Sequence, residues 1–345
     1  MTTTKHSDRS TRTVPARVQA IDFTKGALVF FMVVYHCLNL STEHQLGFKY
    51  LAFLPPSFIF ITGFLIARVY FQRAPERDGA TSLRMVVRGL KILAIFTVLN
   101  ILAIFVATRN YNGLPLDVPK FFFLWKEIYL KGASYLVAFD ILVPIAYILL
   151  IGPILLFLHR LGSWIVPGIT TFVIAGFVWY QAMDGVIEPN ISLMTAGLIG
   201  SALGTIPQAA LGSLARLWFG PMIFYVLIAL LGHRFGAFAN WILAQQVAAV
   251  VAVAALYCMG VRFRAPEWLI ERILVLGNYS LLAYIAQIGF LQIIVRWTGR
   301  LEPDSMAFLA FFLTALALTS LLVEIIHWCR NESRLVDGVY RLVFG

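Results

Sequence analysis

His36 lies inside a long apolar run, Ala20–Leu40, whose first turns carry the charged residues Asp22 and Lys25. A neutral imidazole can take a proton from a hydroxyl and hand it to a leaving group, and its ordinary pKa near neutrality suits both steps. Lys25 and His36 are eleven positions apart. On a helix that is about 16 Å of rise, roughly half the hydrocarbon thickness of a bilayer. Ionisable side chains are costly inside lipid, so they point to a site rather than to an anchor. No other apolar run holds a histidine in its interior, since His159, His233 and His327 fall at run ends and His6 and His44 fall outside.

Asp140, in Tyr135-Leu-Val-Ala-Phe-Asp140-Ile-Leu-Val-Pro144, is the second candidate. A carboxylate within a span costs about 2.5–3.5 kcal/mol on insertion scales, so it is expected to have a partner. Read as helices, the first and fourth apolar runs bring His36 and Asp140 to similar depth. Asp140 is therefore expected to orient or charge His36, as the third member of a triad orients its base. The alternative is a carboxylate that caps or pairs with another helix. Arg84, Arg88 and Lys91 recur at i, i+4 and i+7, on one helix face able to hold phosphate oxygens, and Arg17 and Lys25 would extend that basic mouth. The same spacing also fits ordinary anchoring of a span. Asn39, Asn100, Gln245, Gln246, Asn278, Gln287 and Glu324 are polar intrusions of the kind that usually hold helices together. Gln287 and Asn39 are the two most plausibly aimed at a substrate. The sequence has no glycine loop for phosphate, no metal-ligand spacing and no nucleophile elbow.

The elements that must position these residues are membrane helices. Apolar residues make up 60% of the chain, charged residues only 13%, and mean hydropathy is +0.83. Long apolar runs predict about ten spans: Ala20–Leu40, Tyr50–Phe71, Met85–Ala107, Tyr135–Leu158, Trp164–Met183, Ile191–Ile206, Leu217–Leu231, Phe238–Met259, Leu274–Val295 and Met306–Trp328. The sixth and seventh are short, and one of them could be re-entrant. The expected class is an all-α polytopic integral membrane protein, with a polar tail at 1–19, a membrane domain at 20–328 and a second tail at 329–345.

Placing both termini in the cytoplasm puts sixteen Lys and Arg inside and eight outside, with Lys25, Arg68 and Lys91 at span edges. The net charge of +10 is thus read as topology and not as affinity for nucleic acid. Three scattered cysteines make neither a disulfide framework nor a zinc pattern. Residues 1–16 carry no short apolar run ending in a cleavage site, so no removable leader is expected. On the outer side, 108–134 mixes Phe121, Phe122, Phe123, Trp125 and Tyr129 with Lys120, Lys126 and Lys131. It reads as an interfacial segment, or as a lid over an outward-facing acceptor site.

Four stretches resemble motifs of the transmembrane acyltransferases. That group includes the acyltransferase family 3 proteins, the bacterial periplasmic-glucan succinyltransferases and heparan-α-glucosaminide acetyltransferase. Arg17, Ile21, Asp22, Lys25 and Gly26 followed by His36 resemble the basic "R-x-x-x-(I/L)-D-x-x-(R)-G" start of the first span. Pro56-Ser-Phe-Ile-Phe-Ile-Thr62-Gly63-Phe-Leu is similar to "F-(F/V)-x-(I/L)-S-G-(F/Y)". Phe139-Asp140-Ile-Leu-Val-Pro144 is similar to the "D-I-L-P" of the glucan succinyltransferase branch. Gly277-Asn278-Tyr279-Ser280-Leu-Leu-Ala-Tyr284 resembles "G-x-x-S-(L/F)-x-x-Y". Lys25 stands where the family usually has arginine, which keeps the charge and loses the planar fork, and Thr62 stands in place of serine.

The resemblance implies His36 as the catalytic residue and Arg88 as a donor-binding residue. It implies acyl-CoA as co-substrate with no tightly bound cofactor, and a carbohydrate or glycan acceptor on the other face. Asn39, Asn278, Tyr284 and Gln287 are then expected near the acceptor. Direct transfer and a relay through an acylated His36 both fit. The expected setting is a bacterial inner membrane, with the oligomeric state open and a homodimer among the options. Two other classes compete: a transporter or flippase using His36 and Asp140 as a proton relay, and a structural membrane partner protein.

Overall fold

The computed structural model describes residues 19–42, 51–106, 110–111, 114–133, 135–207, 242–262 and 266–344, with seven scattered positions between 210 and 226. Helices dominate: α1 Gln19–Asn39; α2 Leu54–Leu65, prolonged by a π-helical turn Ile66–Phe71; α3 Asp78–Val106; α4 Val118–Phe123; α5 Leu142–Leu161; α6 Ile165–Ala182; α7 Pro189–Gly204; α8 Ile242–Arg262; α9 Glu267–Asn278; α10 Ser280–Thr298; α11 Met306–Glu332; and α12 Arg334–Phe344. Two two-residue strands, β1 Asn110–Tyr111 and β2 Leu114–Pro115, pair antiparallel in the loop after α3.

Eight helices among the described residues are long and apolar enough to cross a membrane, and the protein is an integral membrane protein. α6 and the stretch 306–323 of α11 carry no charged residue, yet expose Phe172 (80%) and Leu321 (57%). Helices of that kind belong in lipid. The sixth expected span is α7, only 16 residues long. The seventh, Leu217–Leu231, lies largely outside the described residues, as do the tail 1–18 with Arg17 and the basic residues Lys49 and Arg109.

Three boundaries differ from expectation. The fourth span starts at Leu142 and not at Tyr135, so Asp140 precedes the helix instead of lying two turns inside it. The ninth is broken after Asn278 into α9 and α10. The C-terminal tail contains a helix, α12.

Small residues let the helices approach closely, as in membrane bundles generally. α2 and α7 pack backbone to backbone: a Cβ on Gly63 would collide with the Gly197 carbonyl, and one on Gly200 with the Phe60 carbonyl. The Ser201 hydroxyl donates to the Gly63 carbonyl across this seam at 3.2 Å. A second seam joins α1 to α9, where a Cβ on Gly26 would meet the Ile273 carbonyl and one on Gly277 the Asp22 carbonyl. The first-span and late-span motifs therefore share one contact.

The segment between α3 and α5 folds against the bundle. Asp117 caps α4 by accepting from the Lys120 amide at 2.8 Å. Phe121 and Ile128 are buried, and Phe123 is 84% exposed. Tyr129 shares a 2.7 Å hydrogen bond with Thr97 of α3, and its carbonyl accepts from Tyr147 of α5 (2.9 Å) and Asn190 of α7 (2.7 Å).

Candidate active site

α1 runs unbroken from the Asp22–Lys25 pair to His36. Lys25 Nζ lies 2.7 Å from Asp22 Oδ1, with both side chains largely buried. A removed partner would leave an uncompensated buried charge, so the pair holds together. Further along α1, Nε2 of His36 is sealed from solvent and has no hydrogen-bond partner among the described residues. The imidazole sits between two aromatic rings, Tyr35 at 5.1 Å and Tyr284 of α10 at 6.1 Å between centroids. One turn beyond Tyr284, Gln287 is fully buried, and both atoms of its amide are unpartnered. Buried polar groups are nearly always hydrogen-bonded. Unpartnered atoms on His36 and Gln287, on α1 and the α10 packed against it, are therefore the strongest sign of a site. The Tyr284 hydroxyl, also buried, makes no hydrogen bond of ordinary geometry and lies near the Asp140–Ile141 peptide.

Asp140 is held by a loop and not by a helix. Asn100 of α3 grips the peptide groups of Ala138 from both sides: its Oδ1 accepts from the Ala138 amide at 2.8 Å, and its Nδ2 donates to the Ala138 carbonyl at 2.9 Å. The next residue, Phe139, adopts φ +61°, the left-handed region that a bulky residue rarely occupies. Its ring packs on Tyr284 at 6.4 Å. Such strained residues persist only where surroundings over-determine them, and they cluster at functional sites. One Asp140 oxygen accepts from the Ile141 amide at 3.0 Å. The carboxylate acts electrostatically on Tyr35 and Tyr284, the two rings that flank His36. Asp140 and His36 therefore meet the same two rings, Tyr35 and Tyr284.

The basic residues gather at the other end of α1. Arg68, on the turn that prolongs α2, lies close enough to Tyr257 of α8 to act on it electrostatically. Three residues on, Gly260 of α8 packs against Ala20 and Phe23 of α1. Lys25 and the α2–α3 corner therefore share one end of the bundle. At that corner Arg88 donates to the Tyr70 hydroxyl at 3.0 Å, and Arg73 lies 5.0 Å from the centre of the Tyr70 ring. Arg84 is exposed and Lys91 half-buried on the same helix. Arg160 is committed to Asp78, with bonds of 2.9 and 3.0 Å.

Of the expected substrate residues, Asn39 is a hydrogen-bond partner of Tyr35 beside His36, Tyr284 meets the His36 ring, and Gln287 is buried one turn on in the helix packed against α1. Asn278 does not join them. It sits at the α9–α10 break beside Gly277, which touches Asp22, about 21 Å along α1 from His36. Tyr35 and Tyr70 were not singled out from sequence, although each lies beside a candidate, Tyr35 next to His36 and Tyr70 three residues from Arg73. Among the described residues, no group of three or more His, Cys, Asp or Glu is placed to hold a metal ion. A concavity lined by Val106, Ile293, Arg296 and Trp297, between the last turns of α3 and α10, includes none of these site residues. Compared with protein-family models and with characterised proteins, the chain finds no match.

Proposed function

We propose that this protein is a membrane-embedded O-acyltransferase. It moves an acyl group from acyl-CoA in the cytoplasm to a hydroxyl of a carbohydrate presented on the outer face, with His36 at the centre. The observation that carries this reading is the sealed, unpartnered Nε2 of His36 with the unpartnered amide of Gln287 on the helix packed against it. It is supported by the basic residues Lys25, Arg84, Arg88 and Lys91, which suit an anionic nucleotide thioester, and by the motif resemblance of the first two spans.

In the step we propose, the acceptor oxygen attacks the thioester carbonyl carbon while its proton passes to His36. The C–S bond then breaks, and the departing thiolate takes that proton to leave as free CoA. General base catalysis of this kind contributes about 10²–10⁴-fold. Asp140 and the tyrosines hold the imidazole in position and do not touch the reacting atoms. In this reading both termini face the cytoplasm and the membrane is a bacterial inner membrane. The test is transfer of labelled acyl groups from acyl-CoA outside inverted vesicles to glycan acceptors trapped within them. Labelled glycan supports the proposal. Uptake of acceptor driven by a pH gradient, without covalent product, would instead establish a transporter.

A further inference from the structure

α12 divides into three faces. At 3.6 residues per turn, Leu335, Val339 and Leu342 stand at i, i+4 and i+7 and form one stripe. They are 75%, 53% and 71% exposed, and Val343 beside them is exposed as well. A second face docks the helix on α11. Asp337 accepts two hydrogen bonds from Arg330, at 2.7 and 3.0 Å, and Arg330 lies 4.0 Å from the centre of the Tyr340 ring. Tyr340 in turn meets Tyr279 at 5.3 Å. The third face carries Arg334, Gly338 and Arg341, all exposed.

A soluble helix would hide its apolar stripe in the docked face, and here the two are separate. The stripe also continues an existing one. On α11, Leu321, Ile325 and Trp328 are exposed at the same i, i+4, i+7 spacing and face lipid, with Trp328 at the depth where membrane proteins place aromatic anchors. Leu335 follows seven residues after Trp328. Arg334 and Arg341 beside the stripe suit anionic headgroups.

We infer that α12 lies in the surface of the same bilayer, with Leu335, Val339, Leu342 and Val343 sunk to the boundary between headgroups and acyl chains and Arg334 and Arg341 in the aqueous layer. The occupant of the apolar face is lipid. Through Arg330, which also donates to the Tyr279 hydroxyl at 3.0 Å, this surface helix is tied to the break between α9 and α10. The inference does not depend on the proposed activity.

The experiment uses the full-length protein in lipid nanodiscs with an environment-sensitive bimane label. The background is Cys329→Ser, because Cys37 and Cys258 are buried. The label is placed by Leu342→Cys on the stripe or by Arg341→Cys on the water face. The Leu342→Cys label is expected to lose at least half its emission in nanodiscs whose lipids carry bromine at shallow acyl positions, and to resist aqueous iodide. The Arg341→Cys label is expected to show the opposite. Equal quenching of both labels by iodide, with no effect of bromine, would put α12 in water. Resistance of the Leu342→Cys label to both quenchers would put protein, a second copy or a partner, on the stripe. Either result overturns the inference.

Discussion

Asn100 is the residue whose loss should report most directly on the loop that carries Asp140. It is 4% exposed, and its amide satisfies both backbone groups of Ala138, itself buried, while also donating to the Phe96 carbonyl at 3.0 Å. Asn100→Ala strips two buried backbone groups of their partners. Each such orphan costs about 1–3 kcal/mol. The left-handed Phe139 beside them holds about 1–3 kcal/mol of strain that the clamp no longer opposes. The native loop should therefore lose about 2 kcal/mol or more of stability, about a thirtyfold shift of its equilibrium towards open conformations at 1.4 kcal/mol per tenfold. Acyl transfer should fall at least about tenfold, with a smaller effect on thermal unfolding of the whole bundle, because α3 keeps its packing on α5. Asn100→Asp sharpens the test. A buried carboxyl is driven towards its neutral form, which keeps one donor and one acceptor, so activity should recover in part and more so at lower pH. Transfer by Asn100→Ala within twofold of wild type would refute the idea that this loop positions the site.

Other expectations follow from single contacts. Gly277→Ala drives a methyl group into the Asp22 carbonyl, and since neither backbone can yield it should cost at least the 1–3 kcal/mol typical of overpacking, read as a lower melting temperature in detergent. Arg88→Ala should raise KM for acyl-CoA about tenfold with a smaller change in kcat, because a phosphate contact remote from the thioester is uniform binding; a fall in kcat alone would contradict that role. The hydrogen bonds from Arg330, and then Arg341, hold the Asp337 carboxyl below the usual aspartate range. A depressed carboxylate stabilises above its unfolded pKa and loses that contribution as pH falls through its folded value. α12 should therefore stay docked on α11 through mildly acidic pH and release only below about pH 4, the ordinary aspartate value, as read by hydrogen exchange of its amides.

Much of the framework was legible in the sequence, because hydropathy reports burial in lipid directly. The ends of α1, α6 and α11 fall within a few residues of the apolar runs that predict them. What escaped was set by hydrogen bonds from distant residues. Tyr135–Ile141 reads as a continuation of an apolar helix, yet Asn100, 38 residues away from Ala138, holds that backbone open. The α9–α10 break was hidden because Leu274–Tyr284 is apolar almost throughout, and composition does not register the close approach of Gly277 to α1. For the site, the types of His36 and Asp140 drew notice in the sequence. The grouping of Tyr35 and Tyr284 around His36 depends on which way each side chain points, and period alone does not give that. The amphipathic stripe of α12 could have been found by applying the helical period beyond Trp328, where the last apolar run was taken to end.

The role of His36 is tested most directly by acyl-CoA thioester turnover of the purified protein in detergent, wild type beside His36→Ala. The wild type should hydrolyse one acyl-CoA slowly, and the variant should lose that turnover at least about 10²-fold while still binding acyl-CoA. Equal turnover by both proteins would remove His36 from the chemistry. Absence of both binding and turnover in both would leave the basic end of the bundle as a membrane anchor and contradict the acyltransferase assignment.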